Sequence, residues 1–282
     1  MSESEVKVSV IGAGPAGIAA AQQCIRDGID DVVLFEKKRP GGLIYYANRI
    51  ENFPGFIGKT GKTMAEELEY VITDYGIDLL DRGVKSIGRE DGSFMIHDGR
   101  KEISSEYLVL ATGTKPKPLG IDGEIYEPKL GDYSERNVVV IGGGDVAYDY
   151  ALRLKDSGAE VTMIRRSEPK ALKTLVEEVE AEGIPDIKDD LEGWKKTEEG
   201  YLLRCKGTEL ECDTVITAVG REPSLPEMDF SFSYIKYPMG ATDVENLYAV
   251  GSLMLGVYRQ ASLSWGMGIA AGMHIASKIQ KI

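Results

Sequence analysis

The chain has few cysteines, few histidines and no long apolar segment, and each of these absences excludes a class of protein. Three cysteines in 282 residues, Cys24, Cys205 and Cys212, are too few for a disulfide framework. No apolar run reaches the roughly 18 to 20 residues of a membrane span, and the acidic N-terminus lacks the basic and apolar regions of a signal peptide. We therefore expect a cytoplasmic protein with reduced thiols.

Positive charge is in the minority, with 33 Lys and Arg against 46 Asp and Glu and a formal net charge of -13. Nucleic-acid-binding domains usually carry an excess of basic residues on one face, and anionic membranes repel acidic proteins. The composition therefore excludes nucleic acid and membranes as expected partners. His97 and His274 do not have the spacing of metal ligands, so we predict no metal site.

Two segments of the chain repeat one strand–glycine–helix pattern. Val8 to Gly17 reads VSVIGAGPAG, and Val138 to Ala147 reads VVVIGGGDVA. A glycine follows each predicted helix at the same offset, at Gly28 and at Gly158, and glycine is the usual residue just beyond a helix end. The repeat predicts an α/β fold with two Rossmann-like, dinucleotide-binding domains.

The first glycine group has the features of an FAD site. Gly12, Gly14 and Gly17 form G-x-G-x-x-G between a strand and a helix, which is the context that the motif requires. The backbone can approach a pyrophosphate there, and the helix N-terminus offers N–H groups to it. Glu36 ends the next predicted strand, Val32 to Glu36, where a carboxylate accepts hydrogen bonds from ribose hydroxyls and repels a 2′-phosphate. This half therefore favours FAD or NAD over NADP.

The second glycine group has the opposite charge preference. Gly142 begins the G-x-G-x-x-A variant of the motif, and the position equivalent to the acid of the first half is Arg166. Arg165 precedes it and Lys170 follows it. Guanidinium groups bind phosphate through two hydrogen bonds and remain charged. The second half is therefore predicted to bind NADPH in preference to NADH.

Five segments together resemble the thioredoxin reductase-like FAD/NAD(P)-dependent oxidoreductases, the class II pyridine nucleotide-disulfide oxidoreductase branch, over nearly the whole chain. They are GAGPAG with Glu36, Gly41-Gly42 followed by IENFPGF (Ile50 to Phe56), ATGTKP (Ala111 to Pro116), GGGDVA followed by Arg165-Arg166, and YRQA (Tyr258 to Ala261). The resemblance implies that the NAD(P)-binding domain, residues 118–221, is inserted into an FAD-binding domain made of residues 1–117 and 222–282.

The resemblance also implies which residues contact the cofactors. Those expected at FAD are Gly12, Gly14, Pro15, Ala16, Gly17, Glu36, Lys37, Gly42, Leu43, Ile44, Asn52, Val84, Ala111, Thr112, Gly113, Gly251, Ser252, Arg259, Gln260 and Ala261. Those expected at NADPH are Gly142, Gly143, Gly144, Asp145, Val146, Arg165, Arg166 and Lys170. The last helix would direct its positive N-terminal end at the pyrimidine edge of the flavin, where negative charge develops on reduction. No catalytic side chain is identified, because the flavin is the redox centre.

The chain departs from thioredoxin reductases at the redox disulfide. Those enzymes carry Cys-x-x-Cys-Asp before the strand that leads into the second glycine motif, whereas Ile125 to Lys129 read IYEPK here. None of the cysteines replaces the pair; Cys205 and Cys212 flank a predicted hairpin turn at Lys206 to Glu209 and are candidate cross-strand neighbours. Gly251-Ser252 stands where the family usually has Gly-Asp, which predicts somewhat weaker binding of FAD.

These features predict an NADPH oxidoreductase that passes electrons through flavin to an external acceptor such as ferredoxin, a quinone, a small disulfide or oxygen. The alternatives are a thioredoxin reductase-like disulfide reductase without its own cysteine pair, a ferredoxin–NADP reductase-like enzyme, and a flavin redox sensor that does not turn over. The acidic net charge weighs against ferredoxin, which is also acidic. The resemblance also implies a homodimer.

Overall fold

The computed structural model describes residues 4–129, 131, 133–235 and 239–281. Its α-helices are α1 (Pro15–Arg26), α2 (Gly61–Asp74), α3 (Asp145–Asp156), α4 (Lys173–Ala181) and α5 (Ala261–Gln280). Its strands are β1 (Ser4–Ile11), β2 (Val32–Glu36), β3 (Asp78–Asp81), β4 (Ser86–Glu90), β5 (Ser93–His97), β6 (Glu102–Leu110), β7 (Thr114–Pro116), β8 (Asn137–Ile141), β9 (Glu160–Arg165), β10 (Asp186–Lys188), β11 (Leu191–Lys196), β12 (Tyr201–Cys205), β13 (Glu209–Cys212), β14 (Thr214–Thr217), β15 (Arg221–Pro223), β16 (Glu227–Met228) and β17 (Leu247–Ala249). Short 3-10 helices span Gly42–Tyr46 and Gly251–Leu253.

The chain folds into two compact units, and each contains a parallel sheet. Unit 1 comprises Met1–Tyr45, Glu51–Lys115 and Pro223–Ile282, and unit 2 comprises Tyr46–Ile50 and Pro116–Glu222. The α/β class with two Rossmann-like domains, which the repeat predicts, is confirmed. Among the described helices, none has the length and apolar character needed to cross a bilayer.

The sheet of unit 1 has a parallel centre and an antiparallel extension. Strands β17, β6, β1, β2 and β3 lie side by side in this order, all parallel. The extension is formed by β5, which pairs antiparallel with the first half of β6, followed by β4 and the short β16. The central strands are almost wholly buried, as expected for parallel strands covered on both faces.

Two helices of unit 1 pack closely because α5 presents glycines to α1. A Cβ atom on Gly268 would lie 2.1 Å from the carbonyl oxygen of Ala16, and one on Gly272 would lie 2.9 Å from that of Ala20. Both positions therefore require glycine at this separation of the helices. Gly268 contacts Ala16, and Gly272, one turn later, contacts Ala20. The two helices therefore run parallel, and their N-termini lie at the same end.

Unit 2 contains a four-stranded parallel sheet, β10–β9–β8–β14, and a three-stranded antiparallel sheet, β11–β12–β13. A short segment from the first part of the chain also belongs to this unit. Arg153 Nη1 of α3 donates to the carbonyl oxygen of Tyr46 at 2.6 Å, and Asp149 accepts the N–H of Asn48 at 2.9 Å. Two hydrogen bonds from α3 thus hold Tyr46–Ile50 in unit 2.

The predicted repeat is confirmed in both units. Helices α1 and α3 each begin directly after the second glycine of the motif that follows a buried strand, with Gly14 and Gly144 as their N-caps. Each ends shortly before a glycine with positive φ, Gly28 at 84° and Gly158 at 88°. The chain reverses there in the left-handed conformation, which is favourable for glycine, and enters the next strand of the same sheet.

Candidate functional site

Four predicted residues meet at one edge of the sheet of unit 1. Gly12 follows β1, Glu36 ends β2, Ala111 follows β6 and Gly251 follows β17. Because these strands are parallel, their carboxyl ends share an edge, where ligands of open α/β sheets commonly bind. The structure therefore brings together segments from the beginning and from the last part of the chain.

The glycines of the first motif have distinct packing roles. Gly12 has a φ of 103°, and a Cβ atom there would lie 2.6 Å from the carbonyl oxygen of Ala111. A Cβ atom on Gly17 would lie 1.8 Å from the carbonyl oxygen of Gly12, so the helix packs directly on the turn. Gly14, the N-cap of α1 before Pro15, has open space within 4 Å of such an atom. Two glycines close the turn, and the third leaves room for a ligand at the helix N-terminus.

Glu36 organises the same turn through its carboxylate. Its Oε2 accepts the N–H of Ala13 at 2.9 Å, and its Oε1 accepts the N–H of Lys38 at 2.8 Å. A carboxylate offers about four lone-pair sites, so both oxygens retain capacity for ribose hydroxyls. The side chain of Glu36 is half-buried and Lys37 is exposed, a position compatible with a nucleotide ribose.

The first residue of the 3-10 helix Gly42–Tyr46 lies against the glycine turn. Gly41 donates its N–H to the carbonyl oxygen of Ala13 at 2.8 Å, and a Cβ atom on Gly42 would lie 3.2 Å from the Cα of Gly14. Leu43 is exposed and Ile44 half-buried beside it. This predicted group therefore adjoins the helix N-terminus.

Thr112 supplies an independent indication of a ligand. Its Oγ1 is buried and has no hydrogen-bond partner among the described residues. Buried hydroxyls are normally satisfied, so an unpaired one next to the glycine turn fits a bound polar group. Gly113 follows it with a φ of 64°. Of the remaining predicted contacts, Val84 is half-buried against the hydrophobic core, and Asn52 is exposed in the loop before α2.

A second helix N-terminus reaches this edge of the sheet. A Cβ atom on Gly251, which has a φ of 71°, would lie 2.7 Å from the Cβ of Ala16 and 3.6 Å from that of Ser264. The first turns of α1 and α5 are therefore close together, and both direct partial positive charge and N–H groups towards the same region. The predicted residues around them are exposed or half-buried, namely Ser252, Arg259, the N-cap Gln260 and Ala261. This region of unit 1 fits an anionic dinucleotide such as FAD.

The glycine motif of unit 2 has the same construction. A Cβ atom on Gly142 would lie 2.6 Å from the carbonyl oxygen of Ala218, whereas Gly144, the N-cap of α3, has open space. Asp145 in the first turn accepts the N–H of Leu172 at 2.8 Å, and the adjacent Val146 is exposed. The N-terminus of α3 therefore has the same open space as that of α1.

The two arginines beside this motif have different surroundings. Arg165 is largely buried and donates from Nε to both carboxylate oxygens of Asp186, at 2.8 and 2.9 Å. Arg166 and Lys170 are exposed. Sequence reasoning missed Asp186, because its position beside Arg165 follows from the pairing of β10 with β9 rather than from a motif.

The segment that stands where thioredoxin reductases have their cysteine pair is anchored by other interactions. Ile125 forms a bridge with Ile216 of β14. Burial, and then a hydrogen bond to Glu124, raises the pKa of Tyr126. Glu127 forms an ion pair with Arg221 at 3.0 Å, with each side chain only 14% exposed. This segment is occupied by a structural ion pair in place of a thiol pair.

The three cysteines are free and buried. Cys24 is buried on α1, and burial raises its pKa to about 12. The suggestion that Cys205 and Cys212 are cross-strand neighbours is wrong, because Cys212 pairs with Tyr201 at the other end of β12 while Cys205 is opposite Leu191. In the part of the chain that the structure describes, no cluster of His, Cys, Asp and Glu could hold a metal ion.

Comparison with known proteins identifies the family. Residues 6–268 match the family model described as pyridine nucleotide-disulphide oxidoreductase. The thioredoxin reductase of Treponema pallidum (strain Nichols) is 29% identical, covering 99% of this chain and 99% of that protein. The solved thioredoxin reductase of T. acidophilum has a TM-score of 0.89 at 24% identity, covering 99% and 100% of the two chains. Bacillithiol disulfide reductase from Staphylococcus aureus has a TM-score of 0.78 at 20% identity, covering 98% and 99%.

The family match covers both units and includes both glycine motifs. The cofactors of the thioredoxin reductase-like members are FAD and NADPH, so the predictions of these cofactors and of an NAD(P)H-dependent oxidoreductase are confirmed. The chain belongs to the pyridine nucleotide-disulphide oxidoreductase family, as a flavin enzyme similar to thioredoxin reductase.

Proposed function

We propose that this enzyme passes electrons from NADPH through FAD to an external acceptor without an internal redox disulfide. The observation that carries the proposal is the ion pair of Glu127 and Arg221 in the segment Ile125–Lys129, where the resemblance places the cysteine pair of thioredoxin reductases. FAD, when bound, supplies the two-electron centre, and the protein supplies position and electric field.

The thiols of this chain are poorly suited to replace the missing pair. A thiolate is the reactive form of cysteine, and burial raises the pKa of Cys24 to about 12 and that of Cys212 to about 11. Burial also raises the pKa of Cys205. All three are free and buried, so we infer that electrons leave the flavin directly.

We further propose that unit 1 holds FAD and unit 2 holds NADPH, with domain boundaries at residues 1–117, 118–221 and 222–282. In unit 1, support comes from the unpaired hydroxyl of Thr112, the carboxylate of Glu36 and the adjoining N-termini of α1 and α5. In unit 2, it comes from the open N-terminus of α3 and the exposed Arg166 nearby.

The candidate functions differ in the electron acceptor. The likeness to bacillithiol disulfide reductase favours a low-molecular-weight disulfide as one candidate, and thioredoxin, ferredoxin, quinones and oxygen are the others. A cytoplasmic location fits the three reduced thiols, and a homodimer is proposed from the resemblance to thioredoxin reductases.

The decisive experiment is an anaerobic titration of the yellow protein, first with NADH and then with NADPH, followed by visible absorbance. We expect NADPH to bleach the flavin in preference, with one NADPH consumed per flavin. Uptake of a second equivalent would reveal an internal disulfide and contradict the proposal. A protein whose flavin neither nucleotide bleaches would support the redox sensor instead.

Turnover with acceptors then tests the route of the electrons. A variant with Cys24→Ala, Cys205→Ala and Cys212→Ala should oxidise NADPH with the best acceptor as fast as the wild type. Loss of acceptor reduction in this variant, with flavin bleaching by NADPH retained, would show that a thiol carries the electrons.

A further inference from the structure

A buried three-residue network lies beside the glycine motif of unit 2. Arg165, at the end of β9, donates from Nε to both oxygens of Asp186, and Nη1 donates to the carbonyl oxygen of Ser167 at 3.0 Å. The hydroxyl of Tyr148, on α3, donates to Asp186 Oδ2 at 2.7 Å. Arg165 and Asp186 are only 14% and 18% exposed, so water screens their attraction weakly.

The network is adjacent to the backbone that receives a nucleotide. A Cβ atom on Gly143 would lie 3.4 Å from the Cβ of Arg165, and Gly143 also accepts the N–H of Lys170 at 2.7 Å. The stem of Arg165 therefore lies against the glycine loop, but its Nε and Nη1 donors are directed to Asp186 and Ser167. Arg166, the next residue, is exposed.

The hydrogen bonds of Asp186 hold its carboxylate in place beside Arg165. Burial, followed by the hydrogen bond to Asp186, raises the pKa of Tyr148 to about 12, so this hydroxyl stays protonated and donates at neutral pH. Both oxygens of the carboxylate are engaged, and the pairing of β10 with β9 sets Asp186 opposite Met163, two residues before Arg165. A fixed negative charge thus stands next to one of the two arginines predicted to recognise a 2′-phosphate.

We infer that Asp186 is a specificity-determining residue: it engages Arg165 and lowers the positive charge at the ribose site, so that Arg166 and Lys170 contribute most of the affinity for a 2′-phosphate. The inference rests on the proposed binding of NADPH by unit 2. Asp186 therefore moderates the preference for NADPH over NADH. For Arg165 to bind a phosphate through Nε, it would have to leave a carboxylate that holds it at 2.8 Å.

The test is equilibrium binding of NADP+, NAD+ and the fragment 2′,5′-ADP to the FAD-loaded protein by calorimetry, which requires no turnover. Asp186→Asn keeps an acceptor for Arg165 and Tyr148 but removes the charge. We expect NADP+ and 2′,5′-ADP to bind about 3- to 10-fold more tightly, with NAD+ changed by less than about twofold. Asp186→Ser is the second variant and should shift affinity in the same direction.

Asp189→Asn is the matched control. It removes the same charge three residues along the chain, where the carboxylate accepts the N–H of Gly207 at 2.9 Å instead of holding an arginine. Affinity for NADP+ should change by less than about twofold in this variant. If Asp186→Asn weakens the binding of NADP+, Asp186 supports phosphate binding by Arg165. If the variant leaves the binding of NADP+ unchanged, Asp186 plays no part in it. Either result would show that the inference is wrong.

Arg166→Ala separates this inference from the proposed function. This variant should bind NADP+ about 10-fold more weakly than the wild type, and its affinity for NAD+ should stay within about twofold of the wild-type value. If wild-type protein binds neither nucleotide, the proposed function fails. If Arg166→Ala behaves as expected and Asp186→Asn does not, only the role of Asp186 is refuted.

Discussion

Substitution of Gly268 by alanine tests whether the close packing of α1 and α5 builds the FAD site. The added methyl group would lie 2.1 Å from the carbonyl oxygen of Ala16 and 2.9 Å from the Cβ of Ala19. Non-bonded carbon and oxygen atoms need about 3 Å or more, so the helices must separate by roughly 1 Å. Such overpacking costs about 1–3 kcal/mol, and for a protein of this size it lowers Tm by about 2 to 12 °C.

The assay is thermal release of flavin, followed by flavin fluorescence, together with the Kd of FAD. Gly268→Ala should release FAD at lower temperature and bind it more weakly, because the separation moves the first turn of α5 away from that of α1. Gly266→Ala is the matched control in the same helix: this glycine is exposed and has open space, so alanine should stabilise the protein by about 0.5–1 kcal/mol. Equal Tm values and FAD affinities for the two variants would refute the reasoning.

Three further predictions follow from buried polar groups. Thr112→Val removes a buried, unpaired hydroxyl, so the FAD-free protein should gain about 1–2 kcal/mol of stability while its affinity for FAD falls; unchanged FAD affinity would contradict a contact with the cofactor. Arg221→Met removes the ion-pair partner of a largely buried carboxylate, Glu127, and should cost about 3–5 kcal/mol in urea unfolding, whereas adding Glu127→Gln should recover part of that loss; a cost below about 1 kcal/mol would show that the ion pair is unimportant. Since burial raises the pKa of Cys24 to about 12 and that of Cys212 to about 11, native protein at pH 8 should leave both thiols unreacted with a disulfide reagent, and denatured protein should react fully; rapid labelling of the native thiols would overturn the burial argument.

The sequence was most informative where glycine and periodicity constrain the backbone. The strand from Val32 to Glu36 was predicted with its observed bounds, and both helices end before the glycines that the repeat identified. At these places, local conformation is dictated by one residue type, so the pattern alone is sufficient. The α/β class followed from the same pattern, because two β-α-β units require parallel sheets.

Contacts that depend on strand pairing could not be predicted from the sequence. Asp186 is 21 residues from Arg165, and no motif connects them; only the parallel pairing of β10 with β9 places one beside the other. The same limit explains the error over Cys205 and Cys212, because proximity to a hairpin turn does not give the register of its strands. The ion pair of Glu127 with Arg221 joins residues that are 94 positions apart, so it could not be predicted from the sequence either.

The absence of a thiol pair from Ile125–Lys129 changes what unit 2 contributes to the reaction. In a disulfide-containing relative, the nucleotide domain would carry both NADPH and the cysteine pair, and each would need access to the flavin. Here the segment is fixed by the ion pair of Glu127 with Arg221, whose loss would leave a poorly solvated charge. Under the proposed function, unit 2 would contribute nucleotide binding alone to electron transfer. Selection of the acceptor would then depend on the surroundings of the flavin, and neither glycine motif would specify it.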